Sequence, residues 1–343
     1  MGRLIIIGNG YDMGHLNGAT SYKKFGEWLC EKYKLTMSSD NNKLPFSREL
    51  NIYSGDFYRK IVTDFPSSDA NAIDKKRNAF FAAMLVNMIN ELNDDNWSDF
   101  ETDLGSLPWA KYIQKADKYF GKHNSFGSPV SFGTEFITSS VGSITSMFAE
   151  WISSIDCSNI EKNGFDYSLK CINNDDTIII FNYTDTFERL FCLSPEDSRV
   201  CHIHGKASDK KTIIVGHGGD RANCKSNNLD CCSDYMLEAK AVLYKDTEKI
   251  IKNNDNVWQK IERDFIKGDS NEIYVYGWSC SKEDKPYLKK IIEIVEKTKK
   301  ESSLFLCDYN NEGRIKRKSW IKNGFKGNIT FFTIKGSNII YKK

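Results

Sequence analysis

Five histidines occur in 343 residues, and three of them, His202, His204 and His217, fall within sixteen positions. An imidazole changes charge near neutral pH, so it can take a proton from a water or a hydroxyl. Gly205 follows His204 directly and lets a ligand approach closely. On an extended chain His202 and His204 point to one face and Ile203 to the other. Three readings stay open for the cluster. His204 acts as a general base, or the histidines are bonded structurally to backbone, or they bind a metal, although their spacing matches no strict zinc pattern.

Three further groups of polar residues stand where apolar runs stop. In "FNYTDTFERLF", 181–191, Asn182 sits directly on an apolar run and is followed by Tyr183, Thr184 and Asp185. A carboxamide there can hold a hydroxyl or a water without adding charge, and Asp185 can stabilise a developing cation. The bland reading makes Asn182 a turn residue and Asp185 or Thr184 a helix cap. The opening run "LIII" breaks at Gly8-Asn9-Gly10, with Asp12 close behind. Glycines at such a break let backbone N–H groups approach an anion, and Thr20 and Ser21 offer hydroxyls before an amphipathic segment. The full G-x-G-x-x-G fingerprint is absent, because Met13 takes the last glycine's place. Finally "VYGWSCSKEDKPYL", 275–288, brings Gly277 and Ser279 to another strand end, with Ser281 as a cap and Glu283 and Asp284 at the head of a helix. Glu101, beside Asp99 and Asp103 in "NWSDFETDLGSLPW", is a further carboxylate of this kind; surface carboxylates are far commoner than functional ones.

These residues need strands to hold them. The runs 3–8, 176–183, 199–205, 212–217, 272–278 and 303–309 read as strands, four with continuous apolar stretches expected of strands covered on both faces. Helical patterns lie at 20–34, 184–193, 234–252, 255–267, 282–300 and 311–322. The alternation predicts an α/β fold around a mostly parallel sheet, whose ligands sit beyond the carboxyl ends of the strands. Residues 44–172 show almost no strand signal and helical stretches at 73–93, 108–120 and 134–155. They read as a large helical insertion after the first strand, with 1–43 and 173–343 forming one discontinuous sheet core. The Gly- and Ser-rich segment 121–133 reads as a loop.

Composition narrows the classes. A net charge of +2 gives no broad attraction to nucleic acid or anionic lipid. Ten cysteines without a C-x-x-C pair read as reduced thiols of a cytoplasmic protein. No apolar run reaches the roughly 18 residues of a membrane span, and the opening run is too short for a signal-peptide core.

Taken in order, "LIIIGNGYDMGHLNGATSYKKF", "WSDFE", "FNYTDTFERLF", "HIHGK" and "YVYGWSCSKEDKPY" resemble the bacteriophage abortive-infection AbiH family. A more distant similarity links the order of Gly-x-Gly, Asn, His-Gly and Gly-x-Ser to sirtuin-like NAD-binding domains. That resemblance implies NAD as ligand or substrate and a Rossmann-like, sirtuin-like sheet. Gly8, Asn9 and Gly10 then hold phosphate, with Asp12, Thr20, Ser21, Tyr183, Gly277 and Ser279 lining the nucleotide; Asn182, His204 and Asp185 do the chemistry. The four-cysteine zinc module of sirtuin deacylases is missing, since Cys224, Cys231 and Cys232 lack paired spacing. The zinc-free, NAD-hydrolysing sirtuin-like domains of phage-defence proteins are the closer likeness. They imply a phage-derived trigger, assembly into homo-oligomers and no metal. A nucleotide sensor without turnover and a metal-dependent hydrolase or nuclease are the alternative functions.

Overall fold

The computed structural model describes residues 2–35, 100–107, 141–218, 241–309 and 313–342, together with most positions of 78–92. It divides into two compact units. The first comprises Met1–Thr20, Ile152–Ile214 and Asp246–Lys343, the second Ser21–Trp151 and Val215–Lys245.

The first unit is α/β. Seven strands, β1 (Arg3–Ile7), β2 (Thr177–Ile180), β3 (Val200–His202), β4 (Asn271–Tyr276), β5 (Ser302–Cys307), β6 (Asn328–Lys335) and β7 (Asn338–Lys342), form one sheet in the order β3-β2-β1-β4-β5-β6-β7. Every pairing is parallel except β6 with β7. The chain therefore adds strands on one side of β1 as far as β3, then crosses back and adds the rest on the other side.

Alternation along the strands sends side chains to two cores. Leu4, Ile6, Ile179, Phe181, Ile273 and Val275 face one way, toward Trp258, Ile261 and Phe265 of a helix at Asp255–Lys267 and Tyr287, Leu288 and Ile291 of another at Lys285–Thr298. Ile5, Ile7, Ile178 and Ile180 face the other way, toward Tyr11, Phe165, Leu169, Phe187 and Leu190. Those last residues belong to α1 (Asn9–His15), a helix at Gly164–Leu169 and a helix at Thr186–Phe191. Burial on both faces explains the unbroken isoleucines of β1 and β2. β4 and β5 are covered less evenly, leaving Tyr274 and Phe305 half-buried and stacked at 4.6 Å between ring centroids.

Several expectations are corrected. Residues 212–217 are not a strand: a 3-10 turn at Lys210–Thr212 leads into irregular chain with one bridge, His217 to Tyr244. The apolar run there packs from a loop. A helix forms at Asn9–His15, directly after β1 and well before position 20. The helical pattern at 234–252 breaks around 243–246, and its helix runs Thr247–Asn253 behind an Asp246 cap. The helix expected from 184 starts at Thr186. β6 and β7, unread in the sequence, form a hairpin whose turn uses Gly336 at φ +56°; its residues are mostly half-exposed and mix polar with apolar types.

In the second unit the described helices are Tyr22–Lys32, Phe100–Leu104 and most of Ser143–Ser153, with helical positions between 78 and 89. Ser21 caps the first of these through Lys24 N. Phe25 packs against Phe100, Phe148 and Trp151. Across residues 44–172 the described segments are helices and connecting chain. The predicted helix at 108–120, the loop at 121–133, Asp99, Cys224, Cys231 and Cys232 lie outside the described residues. All seven described cysteines are free thiols. Among the described residues no helix is long and apolar enough to cross a membrane.

Candidate functional site

Because β3, β2, β1 and β4 are parallel neighbours, whatever follows each strand arrives at one edge of the sheet. β1 runs into Gly8–Gly10, β2 into Asn182, β3 into His204 and β4 into Gly277–Ser279. Local chemistry fixes each turn. A Cβ on Gly8 would collide with Trp278, and one on Gly277 with the Tyr11 nitrogen; Gly277 also holds φ +74°. Gly8 N donates to Tyr276 O at 2.9 Å and Gly10 N to Gly277 O at 3.0 Å. The two glycines thus serve close packing of the β1 turn on the β4 turn, and their amides are spent within the fold. Asn9 Nδ2 donates to Thr20 O at 3.1 Å and holds the chain after α1. Thr20 is buried and its hydroxyl has no hydrogen-bond partner.

Asp12 lies within α1 and is 1% exposed. Its Oδ2 accepts a 2.5 Å hydrogen bond from Thr184 Oγ1, which also meets Thr186 Oγ1 at 2.9 Å. Its Oδ1 has no partner. Burial pushes the Asp12 carboxyl up, and Thr184, Thr186, Asn182 and the charge of His15 only partly oppose this, leaving it at about 6. Asn182 is 3% exposed, and neither its Oδ1 nor its Nδ2 has a hydrogen-bond partner. Its amide is near enough to act on the Asp12 charge without meeting it in hydrogen-bonding geometry. A buried amide left in that state costs roughly 1–3 kcal/mol per group, so this corner of the site is polar by construction.

The surroundings brace it. His15 Nδ1 lies 2.9 Å from Tyr11 O and Nε2 2.8 Å from Asp166 Oδ2, while Tyr11 Oη donates to Asp166 Oδ1 at 2.6 Å. Burial pulls the His15 pKa down, but the hydrogen bond and charge of Asp166 outweigh it and the net shift is upward. Asn163 caps the helix that carries Asp166 in a reciprocal capping box. On the far side of Asn182, His202 Nδ1 lies 3.2 Å from its carbonyl, and His202 Nε2 meets Glu188 Oε1 at 2.7 Å. Lys206 adds an ion pair to the same oxygen at 2.8 Å. Burial pushes Glu188 up, yet His202 and Lys206 hold its carboxyl below the ordinary value.

The expectation that His202 and His204 share a face is corrected. β3 ends at His202, the chain turns, and Gly205 at φ +87° donates back to His202 O at 3.2 Å. The His204 ring packs edge-on against Phe181 at 5.3 Å between centroids, and its Nε2 meets Tyr287 Oη at 3.3 Å. Phe181 stacks on Trp278 at 4.7 Å. Asn182 follows Phe181 and is turned to the Asp12 side, so His204 and Asn182 flank the end of β2 from opposite faces. Tyr183 is buried, its ring centroid 6.4 Å from His204, and its hydroxyl donates to Ile214 O at 3.0 Å. Asp185 occupies the N-cap position without capping, half-exposed and paired with Arg189 at 2.7 Å. Ser279 is exposed. Ser281 does not cap the following helix, and Asp284 instead accepts from Trp278 Nε1 at 2.9 Å.

Glu101, Ser21 and His217 belong to the second unit. There Glu101 pairs with Lys245, whose side chain is fully buried, at 2.6 Å and accepts from Tyr22 Oη at 3.2 Å. His217 packs against Gly105 and Tyr244. Among the described residues no three His, Cys, Asp or Glu side chains are grouped to hold a metal. The buried acids and hydroxyls of this region, namely Thr184, Thr186 and Glu188 near Asn182 and Asp166 beside His15, carry no signal in isolation. Only the spacing of Thr184 and Thr186 about Asp185 hints that Asp185 faces away from them.

The fold and site define an α/β protein with a mostly parallel sheet and a buried polar cluster at the carboxyl ends of its strands. The family model for bacteriophage abortive infection AbiH matches residues 4–305, and the chain belongs to that family. Its role is therefore in abortive infection, the defence against phage that gives the family its name. Neither a curated protein nor a solved structure gives a significant match.

Proposed function

We propose that this chain binds NAD or a related nucleotide across the ends of β1–β4 and hydrolyses its nicotinamide–ribose bond during phage infection. One observation carries the reading: the glycine turn, Asn182, His204 and the Gly277 turn follow four neighbouring parallel strands and meet at one edge of the sheet. The order β3-β2-β1-β4-β5-β6 is also that of doubly wound dinucleotide-binding sheets, which take ligands at that edge. In this Rossmann-like, sirtuin-like reading the ribose lies over the end of β2, between Asn182 and His204. The glycosidic C–N bond breaks, nicotinamide leaves, and water adds to the ribosyl carbon. Its proton passes to the His204 imidazole, giving ADP-ribose, nicotinamide and a proton. Asn182 orients the ribose or the water, and alignment of that water supplies much of the rate. With the Gly8 and Gly10 amides bonded internally, Asn9 and the turn's shape face the diphosphate. Asp185 then acts only at long range, through charge.

The test is incubation of purified protein with NAD, with and without extract of phage-infected cells, followed by chromatography. Nicotinamide is expected, and Asn182→Ala and His204→Ala should lower its release by at least about 100-fold. Full activity in both variants refutes the assignment. A second reading, a nucleotide sensor without turnover acting through the helices of 44–172, is favoured by one contact: Tyr287 already occupies His204 Nε2. Saturable binding with no product distinguishes it.

A further inference from the structure

We propose that Asp12 and Asn182 together seat the two hydroxyls of the nicotinamide-bearing ribose, with Asp12 Oδ1 as the charged acceptor. This rests on the nucleotide reading above and deepens it. Three buried polar atoms of these neighbours make no hydrogen bond of normal geometry, Asp12 Oδ1, Asn182 Oδ1 and Asn182 Nδ2, and Asn182 lies near enough to act on the Asp12 charge. They offer two acceptor oxygens and one donor nitrogen, whose NH2 carries two hydrogens. A hydroxyl both donates and accepts, so a pair of adjacent hydroxyls matches that set: one donates to the carboxylate, the other donates to the carboxamide oxygen, and the amide N–H group returns a bond.

Competing ligands fit worse. A phosphate would meet a carboxylate in a buried setting, which repels it. A metal cation would be repelled by the charge of His15, which already acts on Asp12. A nucleobase needs apolar planes on both faces, whereas Asp12 is lined by the hydroxyls of Thr184 and Thr186. The seat is also held rigidly. Thr184 fixes Asp12 through Oδ2, leaving Oδ1 to point elsewhere. His202 fixes the Asn182 backbone through its carbonyl. Position agrees, since Asn182 follows β2 and Asp12 lies one turn into the helix that follows its neighbour β1.

The experiment is titration calorimetry on the full chain with carba-NAD, which keeps both ring hydroxyls but has no glycosidic bond to hydrolyse. The comparison ligand is the same molecule lacking the 2′- and 3′-hydroxyls of that ring. The unmodified protein should bind carba-NAD about 10- to 100-fold more tightly than the dideoxy compound, as hydrogen bonds to a charged group warrant. Asp12→Asn should collapse most of that ratio. Equal binding of the two ligands by the unmodified protein overturns the proposal and leaves the nucleotide reading intact; that arm needs no variant. A full ratio retained in folded Asp12→Asn overturns the role of Asp12. Absence of any binding overturns both this proposal and the nucleotide reading.

Discussion

Replacing Asp12 with asparagine should make the protein more stable at pH 8, although it removes a buried hydrogen-bonded side chain. The Asp12 carboxyl stands at about 6 in the fold, against 3.8 in its unperturbed state, chiefly because burial disfavours its charge. A displacement of that size, at about 1.4 kcal/mol per tenfold change in proton affinity, amounts to roughly 3 kcal/mol. The sign follows from proton counting. Between these two pH values the folded state holds a proton that the unfolded chain has released, so stability falls as pH rises through the interval. Below about pH 3.8 the group costs nothing; above about pH 6 the whole penalty is present. Asparagine carries no charge and can still accept from Thr184, so Asp12→Asn should recover up to about 3 kcal/mol at pH 8 and almost none at pH 4. Denaturant melts of variant and parent at each pH read the difference directly. Pairing them at each pH matters because His15 titrates in the same direction and its charge acts on the same carboxylate. A variant less stable than its parent at pH 8, or a difference that does not change with pH, refutes the reasoning.

Other outcomes follow from the same contacts. Asp166→Ala removes the partner of a buried His15 and of Tyr11, and should lower unfolding free energy by about 3–5 kcal/mol. The stability that His15 contributes is present below its ordinary 6.5 and is lost as pH rises through its elevated folded value, so His15→Gln should flatten that part of the pH–stability profile. Gly277→Ala forces a side chain into φ +74° against the Tyr11 nitrogen; thermal melts should show a loss of at least about 2 kcal/mol. Arg189→Ala breaks only the half-exposed pair with Asp185 and should change stability by less than about 0.5 kcal/mol.

The strands plainest in the sequence are those buried on both faces. β1 and β2 are covered on both faces, so their isoleucines run without interruption and announce themselves. β6 and β7 close the sheet with mostly half-exposed or exposed residues. β-formers do alternate along NITFFTIK and NIIYK about Gly336-Ser337, so this hairpin has a sequence signal, weakened by interleaved polar residues and incomplete burial. The segment 212–217 shows the reverse error: an apolar run buried in a loop looks like a strand until its backbone partners are known. Asn9–His15 was hidden because glycines weaken helix propensity, and only packing of Tyr11 against Phe165 and Tyr276 holds that turn helical.

The sequence alone determined which residues stand at strand ends, since that is a matter of order along the chain, and it carried the family signature through the same blocks. Tertiary structure decided what those residues touch. It spent the Gly8 and Gly10 amides on neighbouring carbonyls, turned His204 to the Phe181 face and Asn182 to the other, and left Asp185 half-exposed beside Arg189. It also drew Asp12, from the first helix, against threonines some 170 positions later. Chain order says nothing about burial, and it is burial that raises the affinity of a carboxylate for its proton and leaves an amide without water.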